Sequence, residues 1–152
     1  MEAYFIVTDT PPEDAFPQLL LPLLRFAEES VGSPNSRTLA VLLLDPPTGA
    51  VTGGLWGNTR WGCLCIDALY VPEALRHDGL GSQLVRMAEE EAIERGCHCC
   101  CLDTYAFQAK SFYQKLGYVV FGTLEGPAPV YPRYFLPKPL AAPDSDPSHA
   151  SG

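Results

Sequence analysis

The stretch from Trp61 to Leu102 constrains the fold more than any other part of the chain, because a β-forming run, a loop, an amphipathic helical run and a second β-forming run follow one another directly. "WGCLCIDALYV", Trp61 to Val71, is rich in strand formers. "GLGSQLVRMAEEEAIERG" then sets Leu80, Leu84, Met87, Ala88 and Ala92 on one helical stripe, with Gln83, Arg86, Glu90 and Glu94 facing away. Gly96 supplies a stop, and "CHCCCLDT" reads as the next strand. The result is a βαβ-like centre, which places the chain among mixed α/β folds.

The flanks extend the pattern. "AYFIVT", Ala3 to Thr8, reads as a first strand, and Phe16, Leu19, Leu20, Leu23, Leu24 and Ala27 recur at helical spacing before a stop at Gly32. Pro22 then belongs in the first turn or at a kink, since proline has no N–H to donate. "TLAVLLLD" and "AVTGGLWG" are strands joined through "PPTG". Ala109, Phe112, Tyr113 and Leu116 mark a helix closed by Gly117, and "YVVFGTL" and "RYFLP" are final strands. The expected order, β-α-β-β-β-α-β-α-β-β, contains about seven strands in a mixed sheet flanked by helices. A single domain spans residues 1–140, and 141–152, without apolar pattern, forms a disordered tail.

At 152 residues such a domain buries a sufficient core without cross-links. Apolar runs such as Leu19 to Leu24 are too short and too interrupted by proline to span a bilayer, and the acidic Glu2 and Asp9 do not suit a secretory leader. A cytoplasmic location with no membrane partner is expected. The net charge of −8 disfavours a phosphate-tracking nucleic-acid binder and suits a cationic small substrate.

The chemistry concentrates in "LYVPEALRHDGLGSQLV", where a strand meets a helix through a loop ending in Gly79-Leu80-Gly81-Ser82. Glycines let backbone approach a ligand closely, and the unpaired N–H groups of a helix N-terminus then face it. Arg76 precedes the turn and can add a charge-assisted contact to a phosphate oxygen. Glycines that merely permit a tight turn are the bland alternative. A dinucleotide fingerprint, with Asp103 as its acid, fails because Leu84 occupies the third glycine position.

On Arg76, Gly79 and Gly81 the chain resembles the GNAT superfamily of N-acetyltransferases, whose acetyl-CoA loop runs Gln/Arg-x-x-Gly-x-Gly/Ala. The resemblance extends from Ala3 to about Leu140 and includes "FYQKLGY", similar to a second cofactor-side motif. It implies that the pantetheine arm of acetyl-CoA pairs with the strand at Leu69, Tyr70 and Val71. It implies also that the pyrophosphate lies over amides of His77, Asp78, Gly79, Leu80, Gly81 and Ser82. The tyrosine at position 113 is implied as the acid that protonates the departing thiolate; spacing alone equally allows Tyr113 to be part of the apolar stripe. Many members carry Asn at the position of Ala106; Gln108 is the expected replacement contact.

Transfer of acetyl to an amine needs a base, an oxyanion site and a proton for the thiolate. The resemblance assigns the oxyanion to a backbone N–H near Tyr70 or Val71. Asp67, on the same strand, is the candidate base, with a capping or loop-facing charge as its alternative. Glu73 and then His98 follow as weaker candidates. Trp56, Trp61, Tyr131 and Tyr134 either line the acceptor side or, for at least half of them, belong to the core. The acceptor is a small amine or a protein amine, and a homodimer is the expected assembly. The competing function is a non-catalytic acyl-CoA sensor or interaction module.

"GCHCCC", Gly96 to Cys101, holds four of the six cysteines. On a strand Cys97, Cys99 and Cys101 point one way and His98, Cys100 and Leu102 the other, so neighbours cannot converge on one tetrahedral ion. Cys63 and Cys65 can approach Cys99 or Cys101 across the sheet. No metal is expected, and the stretch reads as a structural strand.

Overall fold

The structure, a computed structural model, describes residues 3–141. It divides into two compact units, Met1–Pro34 and Asn35–Gly152. The expected tail, 141–152, lies outside the described residues beyond Ala141.

The first unit is built on helix α1, Ala15–Val31. Gly32 ends it at φ 86°, its N–H donating to the Glu28 carbonyl, as the glycine signal predicts. Pro22 lies in the helix interior and not in its first turn. Ala3 to Thr8 is not a strand. Its side chains suit one, but a strand exists only where a neighbour takes its N–H and C=O groups, and these residues join no ladder.

Among the described residues the second unit contains one mixed sheet of six strands, not seven, in the order β1-β2-β3-β4-β6-β5. The strands are β1 Arg37–Leu44, β2 Val51–Arg60, β3 Cys63–Tyr70, β4 Cys99–Tyr105, β5 Gly122–Leu124 and β6 Arg133–Pro139. Helix α2, Leu80–Glu94, connects β3 to β4, which pair parallel; every other pairing is antiparallel. Helix α3, Lys110–Lys115, follows β4.

Alternation on the strands and the helical period of α2 meet in the core. Leu39, Leu55, Leu64, Ile66, Cys100, Leu102 and Leu136 of the sheet are buried together with Leu84, Val85, Ala88 and Ala92 of α2. Each buried leucine contributes about 2–3 kcal/mol of transfer free energy, so this layer fixes the sheet beneath the loop that precedes α2. The helix is rotated from the expected stripe: Met87 is 47% exposed, while Val85 and Glu89 are buried. Glu89 is tolerated there because Lys138 Nζ of β6 lies 2.6 Å from its carboxylate. At the other end Arg95 donates to the Thr38 carbonyl at 3.0 Å and the Thr59 hydroxyl at 3.1 Å, tying α2 to β1 and β2.

Cys100 is fully buried, and burial pushes its thiol up to about 12, so it acts as a small apolar side chain. Cys97 departs from the expected alternation. It precedes β4, is buried, and donates its N–H to the Ala92 carbonyl at the end of α2. Trp56, Trp61 and Tyr131 are exposed and Tyr134 is half-buried under Lys110, whose Nζ lies 4.1 Å from its ring centre. Tyr134 packs against the core, as expected for part of this group, while Trp56, Trp61 and Tyr131 lie outside it.

Candidate active site

β3 and β4 separate at one end, and that separation builds the site. Their pairing runs from Cys63 opposite Cys99 to Ile66 opposite Leu102 and stops. β4 continues beside β6 to Tyr105, while β3 continues beside β2 to Tyr70. The β4-facing edge of Asp67–Tyr70 is therefore left with no β4 partner. Backbone polar groups need partners, so this edge is a template for an extended ligand that carries amides.

Asp67 sits at the point of divergence as the extra residue of a β-bulge, since Gly57 pairs with Ile66 and Trp56 with Ala68. A bulge redirects the side chains beyond it. Leu69 accordingly packs against the core with Val71, while Tyr70 is exposed.

The gap opens into a cavity of about 710 Å³. Leu69, Tyr70, Val71, Arg76, His77, Gly79, Leu80, Gly81, Ser82 and Gln108, all expected binding residues, line it. Leu75, Ala109 and Phe112 complete the wall and were not among them. Asp78, the remaining expected residue, does not line the cavity.

The loop end of this cavity is electropositive by construction. Gly79 caps α2 at φ 76° without any side-chain hydrogen bond, so the first N–H groups of the helix have no intrahelical or capping acceptor. His77 also takes a left-handed φ of 72°, an arrangement that ordinarily costs about 1–2 kcal/mol in a non-glycine residue. Arg76 Nε donates to the Val71 carbonyl at 2.9 Å, which holds the guanidinium beside the loop. Gly81 lets α2 close on α3: an added Cβ would lie 3.2 Å from the Phe112 ring. The whole end suits a phosphate-bearing ligand.

A second cavity of about 280 Å³ shares Leu69, Gln108 and Ala109 with the first, so the two abut. Asp67, Asp103, Thr104 and Tyr113 line it, with Ile66, Ala68 and Leu102 as its apolar floor. Tyr113 is 8% exposed, its ring edge-on to Phe112 and Tyr118. Its hydroxyl makes no hydrogen bond among the described residues. Burial, followed by the nearby Cys100, pushes its pKa up to about 12, which keeps the phenol protonated throughout the physiological range.

Asp103 was missed as a site residue. It stands at the open end of β4 and binds Arg133 Nε at 2.6 Å. The signal available was its place near the carboxyl end of a central strand, where open α/β sheets bind ligands. Gln108 contributes differently from expectation: its side-chain oxygen accepts from the Thr104 hydroxyl at 3.2 Å and the Tyr105 N–H at 3.1 Å, closing the turn from β4 to α3. Beside the mouth, Phe107 stacks on Tyr105 and meets Tyr131 edge-on, both at 5.4 Å. Glu73 and His98, the weaker candidate bases, line neither cavity.

Comparison with known proteins agrees with this geometry. The acetyltransferase (GNAT) family profile matches residues 3–118. An acetyltransferase of Agrobacterium fabrum is 35% identical over 79% of this chain and 87% of its own, and blasticidin-S acetyltransferase of Streptomyces morookaense is 38% identical over 60% and 68%. Among solved structures, an acetyltransferase of Bacillus cereus superposes with a TM-score of 0.74 at 28% identity, covering 89% of this chain and 98% of that one. The parted strands, the glycine loop on the uncapped helix and the profile match together show that the chain belongs to the GNAT family of acetyltransferases.

Proposed function

We propose that the protein transfers an acetyl group from acetyl-CoA to the amine of a small cationic acceptor. The observation that carries this is the junction of two cavities at Leu69, Gln108 and Ala109: one fits a long phosphate-bearing donor, the other an amine. Family membership supports acetyl-CoA as the donor.

The pantetheine amides pair with the free edge of β3 from Leu69 to Val71, and the pyrophosphate takes the uncapped amides from Gly79 to Ser82, with Arg76 beside it. This brings the thioester to the junction. The acceptor nitrogen enters between Asp67 and Asp103, whose carboxylates favour a cationic ligand. Asp67, which has no ion-pair partner among the described residues, removes a proton from the ammonium directly or through water, while Asp103 is held by Arg133. The free amine attacks the carbonyl carbon and the C–N bond forms. A β3 N–H near Tyr70 or Val71 stabilises the oxyanion. The C–S bond then breaks, and the thiolate takes a proton from the Tyr113 phenol. A phenol held up to about 12 is a weak acid, so much of its effect is a hydrogen bond to the developing thiolate, with the proton replaced from the amine side.

The test is thiol release from acetyl-CoA across a panel of polyamines, amino acids, amine-bearing antibiotics and peptides. Acceptor-dependent release with acetylated product by mass spectrometry supports the proposal. Tight CoA binding with no release for any amine supports the sensor instead.

A further inference from the structure

The sheet carries a second constellation that the transfer reaction does not use. β3 and β4 run parallel and in step, Cys63 opposite Cys99 and Cys65 opposite Cys101. Alternation sends Leu64, Ile66, Cys100 and Leu102 into the core, where all are buried, and leaves Cys63, Cys65, Cys99 and Cys101 half-buried on the opposite face. Because the strands are neighbours, the sulfurs converge. Cys65 Sγ lies 3.3 Å and Cys63 Sγ 3.7 Å from Cys101 Sγ, and the three lie within 4.8 Å of one another.

An ion bound to sulfur at about 2.3 Å holds its ligands about 3.8 Å apart in a tetrahedron and about 4.0 Å apart in a trigonal plane. The separations of 3.3 and 3.7 Å, and the third within 4.8 Å, are within a few tenths of an ångström to about 1 Å of those spacings. Thiols gain little from one another at such distances, being weak donors and weak acceptors. We propose that Cys63, Cys65 and Cys101 form a site for a thiophilic d10 cation of the zinc, cadmium or cuprous class. All three ligands are soft, which discriminates against magnesium and calcium. Binding forms three metal–sulfur bonds and releases three thiol protons to solvent, with no change of oxidation state. Cys99, a hydrogen-bond neighbour of Cys63, lies on the same face of the sheet. The consecutive cysteines of β4 do point to opposite faces; the ligand set forms across two strands, where spacing along one of them cannot show it.

The test uses the full chain, reduced, chelator-stripped and kept anaerobic. Zinc and cadmium are titrated in competition with a chromogenic chelator, and cadmium–thiolate charge-transfer absorption is recorded. The expected result is one equivalent bound. Cys101→Ser should lower affinity by more than the roughly 10–100-fold that loss of an outer-shell partner costs, while Cys97→Ser leaves it unchanged. In the unsubstituted protein, saturating zinc should slow alkylation of Cys63, Cys65 and Cys101 and spare the rate at Cys97. Absence of binding with either ion, equal affinity in Cys101→Ser, or a Cys65–Cys101 disulfide forming in air equally fast with and without zinc would overturn the proposal.

Discussion

Replacing Tyr113 with phenylalanine separates chemistry from packing, because the structure sets opposite expectations for the two. The ring is 8% exposed and keeps its edge contacts with Phe112 and Tyr118 in the variant. Its hydroxyl has no hydrogen-bond partner among the described residues, so removing it orphans nothing and changes stability at neutral pH by no more than about 1 kcal/mol. A proton donor aimed at the leaving thiolate contributes about 10²–10⁴ in rate, or about 3–5 kcal/mol of barrier. The variant should therefore lose at least two orders of magnitude in kcat, by thiol release at saturating acetyl-CoA, while CoA raises its melting temperature as in the parent. The phenol also leaves a signature in alkali. Its pKa rises from 10 in the unfolded chain to about 12 in the folded one, so the folded state stays protonated where the unfolded state has ionised. Its contribution is complete below pH 10 and is lost as the pH climbs to about 12, at most about 3 kcal/mol for the two-unit difference. Urea denaturation between these pH values should show a shallower loss in Tyr113→Phe than in the parent. An unchanged kcat refutes the role of the phenol; a kcat loss that comes with loss of CoA stabilisation assigns it to packing.

Three further outcomes follow from the same geometry. Asp67→Asn should lower kcat about 10²–10⁴-fold with the CoA-induced thermal shift intact, and retention of more than a tenth of the activity would remove Asp67 as the base. Gly79→Ala forces a Cβ into φ 76° and should cost about 1–2 kcal/mol in urea denaturation while weakening CoA by isothermal titration; unaltered CoA affinity would argue against the loop as the phosphate site. Cys100→Ala empties part of a fully buried position and should cost about 1–2 kcal/mol without altering CoA affinity, which calorimetry checks directly.

What the chain discloses by itself follows from which interactions are local. The period of α2 and the glycines at its ends are written in consecutive residues, so the strand–loop–helix unit and most cavity-lining positions are legible from Leu69 to Ser82. Strand pairing is not local. Ala3 to Thr8 has strand-forming side chains and joins no ladder, which is why six strands stand where about seven were expected. The same non-locality hides the bulge at Asp67, visible only once Gly57 and Ile66 are paired, and the ion pair of Asp103 with Arg133 across β4 and β6. The approach of Cys63 and Cys65 to the cysteines of β4 is expected from the strand order, but which sulfurs converge depends on the parallel register of β3 and β4. The stripe of α2 missed Val85 and Glu89 because a sheet covers a wider arc of a helix than the periodic leucines mark, and Glu89 is buried only through Lys138.

Amide hydrogen exchange with and without CoA tests the central claim most directly, that the donor lies along the free edge of β3 and ends on the amides opening α2. Added CoA should slow exchange in Leu69–Val71 and in Gly79–Ser82, leaving the β1 and β2 amides from Arg37 to Arg60 unaffected. Binding of CoA without protection in those two segments, or with protection confined to another part of the sheet, would contradict it.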